Sequence, residues 1–369
     1  MNMRRMRRNA LFALYAGVTI ATAPAAAVLP PSVAHAEETW QRPPLTIVSA
    51  NLTIDGQPAV VPAANDQGTT YIGLRSLNER LGLATDWDAD QRKATVSGRG
   101  RTLVLDPDSG SYTMNGQTSY GSPAVLQEGS IYVPLRFLLE RMGYGISYDP
   151  VTRLIGIETI RENELAVQTA TIEETGDGRS LAIHYPQLSG YANPDVQSAV
   201  NAFLKQEAED QAKWGKEELA KAADALKEMP AGDGETKPEV SYGGAYTVTY
   251  NEKGLLSLYV DYHLYTGGAH GITFRKPYTF DLATGRTLSL KEATGGAADY
   301  VPIINDVIRT HLRETDLALL TPFETIEPDR PFFLKHNGVV VYFDLYEYAP
   351  YAAGMPEFEI PFDAFAKTG

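Results

Sequence analysis

The chain has 369 residues, 43% of them apolar, a formal net charge of −14 and no cysteine. The missing thiols exclude disulfides, thiolate metal sites, a catalytic cysteine and a lipidated N-terminal cysteine. The acidic balance disfavours nucleic acid and anionic lipid and favours cationic partners or plain solubility, and the length suits two or three domains of roughly 100 to 150 residues.

Arg4, Arg5, Arg7 and Arg8 precede an apolar stretch from Ala10 to Leu29, which leads to Ala34-His35-Ala36. A basic n-region, a short apolar h-region and a small-residue cleavage site predict a secretory signal peptide over residues 1–36. Pro24, Pro30 and Pro31 break the stretch and disfavour a retained anchor. Loss of the four arginines takes the net charge from −14 to about −18. No later stretch reaches the ~20 apolar residues of a membrane span, so the expected location is secreted, at the extracellular cell envelope, without stable membrane insertion.

An internal repeat organises the first third. Tyr71-Ile72-Gly73-Leu74-Arg75 returns as Tyr132-Val133-Pro134-Leu135-Arg136. At the same offset Leu77, Glu79, Arg80, Gly82, Asp88 and Arg92 recur as Leu138, Glu140, Arg141, Gly143, Asp149 and Arg153, with Tyr148 standing for Trp87. Each copy predicts a hairpin turned by Asp55-Gly56 or Asn115-Gly116, a strand, a short helix closed by Gly82 or Gly143, and a second hairpin. Leu74, Leu77 and Leu81 have the spacing of a core-facing stripe, and Arg75 and Glu79 that of an ion pair one turn apart. These residues resemble the copper amine oxidase N-terminal-like, or stalk, domain over residues 45–157. The resemblance implies a fold and no copper, because clustered imidazoles would be needed and no histidine lies between His35 and His184.

Residues 165 to 173 alternate as a strand, Asp177-Gly178 turns, and Ser180 to Tyr185 resumes. Asn193-Pro194 starts a long helix, asparagine as cap and proline at the first position. Its first half carries Val196, Val200, Phe203 and Leu204 on one face; its second, from Glu207 to Glu228, is charged and is expected to project into solvent until Met229-Pro230. An aromatic, alternating hairpin turns near Asn251 to Gly254. A second, Tyr278 to Asp281 with Thr287 to Leu290, turns at Thr284-Gly285. A helix over Ala298 to Glu314 and strands at Phe332 to Lys335, Val339 to Leu345 and Glu357 to Pro361 complete the pattern.

Tyr185-Pro186-Gln187-Leu188-Ser189-Gly190, the segment Tyr265 to Gly271, and the closing Ala349-Pro350-Tyr351-Ala352-Ala353-Gly354 with Glu357-Phe358 carry a second resemblance. They are similar to the paired domains of unknown function in the lysozyme-sensing anti-sigma factor RsiV and in a peptidoglycan deacetylase. The resemblance implies a first domain over 165–260 and a C-terminal domain over 261–366. The fold class expected is α+β: a tandem β-rich repeat stalk domain, then antiparallel α+β domains with one long helix.

The segment Tyr265-Thr266-Gly267-Gly268-Ala269-His270-Gly271, with Asp261 before it, is the candidate site. Paired glycines admit close approach, and His270 reads as a structural donor, a binding group or an acid–base catalyst. His263 and His270 lack a recognised ligand spacing, so no metal is expected. Thr279-Phe280-Asp281 lacks the second aspartate of the carbohydrate deacetylase motif, since position 282 is leucine. No Gly-x-Ser-x-Gly elbow or phosphate-binding loop occurs, and Tyr342, Tyr346, Tyr348 and Tyr351 form a sheet core and rim or a sugar-stacking platform. The function expected is noncatalytic recognition, with no cofactor, of cell-wall glycan or a cationic lysozyme-like protein. Two alternatives stand beside it: an envelope hydrolase using His270 and Asp261, and a passive structural spacer.

Overall fold

The computed structural model describes residues 43–366 apart from 67, 121–123, 150 and 229–237. The expected signal peptide lies outside the described residues. Among the described residues the fold is α+β, with four sheets and one long helix.

The first copy of the repeat runs β1 (Val48–Ile54), β2 (Gln57–Asp66), β3 (Thr69–Gly73), α1 (Arg75–Leu81), β4 (Ala84–Asp88) and β5 (Lys93–Gly98). After β6 (Arg101–Asp106), the second runs β7 (Ser111–Met114), β8 (Gln117–Tyr120), β9 (Val125–Gln127), β10 (Ser130–Pro134), α2 (Leu135–Arg141), β11 (Tyr144–Asp149) and β12 (Leu154–Thr159). Asp55 and Gly56, and again Asn115 and Gly116, hold the positive φ angles that the two tight hairpins require. Arg136 and Glu140 pair at 2.8 Å on α2. Arg75 and residue 79 occupy the matching turn of α1, where the side chains of Leu77 and Glu79 lie outside the described ones.

One sheet has the order β11-β12-β1-β2-β3-β10-β9 and the other β4-β5-β6-β7-β8. Strands β3 and β10 are antiparallel with Ile72 opposite Val133, Tyr71 opposite Pro134 and Gly73 opposite Tyr132. Ile72 and Val133 are the same position of the two copies, so this pair marks a local two-fold axis. A parallel pairing of β1 with β12 joins the ends of the domain, and one core draws Ile72, Leu74 and Val96 from the first copy and Val133, Leu138 and Ile157 from the second.

The next sheet has the order β13-β14-β15-β16-β17, built from β13 (Ala166–Gly176), β14 (Arg179–Ser189), β15 (Val240–Glu252), β16 (Leu255–Tyr265) and β17 (Ile272–Asp281). The division expected between residues 260 and 261 falls inside β16. Helix α3 (Pro194–Glu228) starts where Asn193 Oδ1 accepts the amides of Asp195 and Val196. Contrary to expectation, its charged half does not leave the body: Ala208, Ala212, Gly215 and Leu219 continue the buried seam of Val200 and Leu204. A stripe of small residues lets helix and sheet approach closely, and a Cβ at Gly215 would lie 2.1 Å from the Tyr242 ring. The Tyr242 hydroxyl donates to Gln211 at 2.8 Å, which satisfies a buried polar pair.

The expected hairpin after β17 is cut short. Phe280 and Thr287 make a single bridge, and Ser289 with Glu292 forms a capping box that opens α4 (Leu290–Ala293) instead. Helix α5 (Tyr300–Thr315) then packs on a three-stranded sheet of β18 (Phe332–Lys335), β19 (Gly338–Tyr342) and β20 (Glu357–Pro361), closed by α6 (Phe362–Phe365). The β19 strand ends at Tyr342, short of the expected Leu345. Ser257 Oγ, which accepts the Leu334 amide and meets Thr279 Oγ1 at 2.8 Å, ties β18 to the β16–β17 pair.

Candidate functional site

Strands β16 and β17 place Asp261 opposite Arg275, His263 opposite Thr273 and Leu264 opposite Ile272, and residues 266–271 join them. Alternation along β16 puts Tyr259 and Asp261 on one face. There Arg275 makes a bidentate pair with Asp261, at 2.7 and 2.8 Å, and donates to Glu357 of β20 at 2.7 Å. Lys335 reaches the other Glu357 oxygen at 3.0 Å, and the guanidinium lies 3.7 Å from the Tyr259 ring centroid. The Arg275 side chain is 7% exposed. Although burial opposes it, the charges of Lys335 and Arg275 hold the Glu357 carboxyl below the usual carboxylate range. Asp261 is therefore spent on a structural cluster, and no hydrogen bond among the described residues connects it to His270.

The loop has different surroundings. Gly267 takes a positive φ of 89°. At Gly271 a Cβ would lie 2.4 Å from the His263 ring and 2.7 Å from the Leu264 carbonyl, so the chain can return to β17 there only without a side chain. His263 meets Thr273 Oγ1 at 3.0 Å, and burial lowers its pKa. His270 is exposed and donates through Nδ1 to the Gly271 carbonyl at 3.1 Å. Its ring stacks on Tyr351, centroids 4.1 Å apart at 24°. The Tyr351 hydroxyl donates to the same carbonyl at 3.1 Å.

Two segments that the sequence analysis singled out separately, Tyr265 to Gly271 and Ala349 to Gly354, thus meet at one stacked pair. Tyr346, 48% exposed, lies 5.7 Å from the Tyr351 ring, and Ile272, 52% exposed, follows the loop. Thr266 and Gly268 are exposed and Tyr265 is half-buried. Sequence reasoning missed Ile272 and the whole Arg275 cluster. The signal for the latter is the in-register Asp261/Arg275 pair, legible only once the β16–β17 register is known. Tyr342 and Tyr348 fall in cores rather than on this surface.

Among the described residues no group of three or more His, Asp or Glu is arranged to hold a metal. Thr279 and Phe280 are buried, and Asp281 accepts from Ala283 N and Thr284 Oγ1, which makes that motif a strand end and turn. No helix among the described residues is long and apolar enough to cross a membrane.

Residues 53–157 match the copper amine oxidase N-terminal domain, 172–273 the deacetylase PdaC, and 293–363 a protein of unknown function, DUF3298. The stalk region holds no imidazole to offer copper, so that name brings no metal chemistry here. Anti-sigma-V factor RsiV of Bacillus subtilis is 24% identical over 242 residues, covering 58% of this chain and 74% of that protein. A solved DUF3298 family member from Bacteroides fragilis is 20% identical, covering 56% of this chain and 94% of that one, with a TM-score of 0.43. Another, from Pseudomonas aeruginosa, is 19% identical with the same coverage and a TM-score of 0.35. The chain joins a copper amine oxidase N-terminal-like stalk region to PdaC-like and DUF3298-like regions, and over 58% of its length it is similar to an anti-sigma factor.

Proposed function

We propose that this chain is an exported envelope protein that binds, without catalysis, a cationic wall-active protein of the lysozyme type through the surface around His270 and Tyr351. The observation that carries the reading is the His270–Tyr351 stack, which gathers two distant segments into an exposed aromatic patch and leaves His270 without a carboxylate partner among the described residues. A hydrolase built on His270 and Asp261 would need the two side chains joined, and Asp261 is held by Arg275 instead. A passive spacer would have no use for a glycine-requiring loop that presents a stacked pair to solvent. The net charge of −14 supports a cationic partner by long-range attraction.

Cell-wall glycan is the second reading, favoured by Tyr346 and Tyr351 as adjacent platforms for sugar rings. Similarity of fold does not transfer a ligand, so the partner is decided by measurement. Calorimetry of the full chain against lysozyme at low and at physiological salt tests the first reading. Binding that persists at physiological salt, where charge is screened over about 8 Å, supports it. Heat confined to low salt means nonspecific attraction and sinks it, and a pull-down with purified wall glycan then tests the second.

A further inference from the structure

Strands β14 and β15 run side by side only from Arg179 to Ile183 against Val240 to Gly244. Beyond Gly244, β15 keeps β16 on one side and has no strand on the other among the described residues. This open edge is tied at both ends. Gln117 Oε1 accepts the Tyr246 amide at 2.8 Å, and the Asn163 amide donates to the Asn251 carbonyl at 3.1 Å. Alternate residues of an antiparallel strand turn their amide and carbonyl away from the partner strand, so Val248 faces outward like Tyr246. A bulge between Val248 and Tyr250 then shifts the outward position to Asn251. Val248 is left between the two ties, with neither Gln117 nor Asn163 on its amide.

That edge is the wall of a cavity. All seven residues from Ala245 to Asn251 line a space of about 460 Å³ between β15 and the stalk, a volume suited to a small ligand. Gly100, Asn115 and Ala166 of its lining are exposed, so the space communicates with solvent. Although the chain carries a net charge of −14, the charged lining here is cationic. Asp261 is matched by Arg275 and Glu140 by Arg136, while Arg99 and Arg101 share the single carboxylate of Glu162, at 3.4 and 2.5 Å. Arg141 has no carboxylate partner among the described residues. Its guanidinium lies 3.7 Å from the Phe137 ring centroid, and it lines the cavity together with Thr247, Val248 and Thr249.

We infer that this cavity binds a short acidic peptide in extended form, added as a strand to the open edge of β15. A strand edge recognises main chain whatever the side chains, and the spare Arg141 cation offers a charge-assisted contact to a carboxylate. From Tyr246 to Asn251 the edge runs about 16 Å at ~3.3 Å per residue, the reach of about four or five residues. An acidic sugar would use Arg141 and leave the amide edge unused, so the edge favours a peptide. Bare edges invite other chains, and the seat of this one inside a cavity limits it to a single strand. No lining residue belongs to the His270–Tyr351 pair.

The test is calorimetry of the full chain, at physiological salt, with an acetylated and amidated tetrapeptide of threonine, valine, threonine and aspartate. The expected result is saturable binding, weakened about tenfold or more when asparagine replaces the aspartate, and again when the central amides are N-methylated. These changes lie in the peptide, so misfolding of the protein cannot imitate them. Arg141→Gln, checked by circular dichroism, should bind the aspartate peptide as weakly as the wild type binds the asparagine one, and should not distinguish the two. Hydrogen exchange should slow over residues 245 to 251 when the peptide is added. Absence of binding at millimolar peptide overturns the inference, as does binding indifferent to N-methylation or protection confined to other segments. Binding of glucuronic acid in place of the peptide overturns it too, and makes the cavity a sugar site. Each of these results leaves the reading of the His270 surface where it stands.

Discussion

Asp261 and His270 lie on the same hairpin, nine positions apart, and end in opposite environments. The inner end of the hairpin is a closed charge cluster in which Arg275 satisfies Asp261 and Glu357 and covers Tyr259. The outer end is a solvent-facing loop whose histidine touches a ring and a carbonyl. The difference teaches that a candidate acid and a candidate base found together in sequence need not share a site. Strand register sends one into a structural pair, and the loop carries the other past the sheet edge.

The contrast is broken most severely by removing the inner cation. Arg275→Ala leaves Asp261 and Glu357 without their shared partner and is expected to cost about 3–5 kcal/mol, the range for breaking a buried ion pair. Chemical denaturation reads the loss, and a change under about 1 kcal/mol would mean that the cluster is surface decoration. Next in size is Gly271→Ala. Its methyl would meet the His263 ring and the Leu264 carbonyl, and overpacking of this kind costs about 1–3 kcal/mol. A thermal melt measures it, and the double variant with His263→Ala should recover part of the loss, because a ring can be removed and a carbonyl cannot.

Much of this was legible beforehand. The repeat offset matched β3 with β10 and α1 with α2 residue for residue, because Asp-Gly, Asn-Gly and the C-capping glycines act locally. What stayed hidden was decided by tertiary contact. Small residues made the α3 seam invisible to a search for large apolar side chains, although Ala208, Ala212, Gly215 and Leu219 keep helical spacing. Thr287 to Leu290 alternates like a strand, yet the reciprocal Ser289/Glu292 cap ends the hairpin there. The loop could be named from its paired glycines and histidine, while its partner Tyr351 stood 80 residues away, and only the fold shows that the two meet.

A second histidine sharpens the comparison at smaller amplitude. His336 is wedged between the buried Glu252, at 2.6 Å, and Glu158 of the stalk, at 3.5 Å. The hydrogen bond to Glu252 raises its pKa from the usual 6.5, against burial and the nearby charge of Lys253. A raised folded-state pKa contributes stability that is complete below the unfolded value and fades as pH rises through the folded one. The melting temperature should therefore fall as pH rises from about 6.5 into the alkaline range, and His336→Gln should flatten that slope. An identical slope in the variant assigns the titration elsewhere.

The smallest stability effect belongs to the outer pair, and it tests the central claim. Tyr351→Ala and His270→Ala remove exposed or half-exposed rings and should each cost no more than about 1 kcal/mol. The decisive measurement is calorimetric titration of lysozyme, at physiological salt, into the wild type and Tyr351→Ala, each at matched folded fraction. The account predicts binding by the wild type and at least about a tenfold loss in the variant, the weight of one aromatic hot-spot residue. Equal affinity in the two proteins would contradict it, and would place recognition away from the loop that His270 and Tyr351 share.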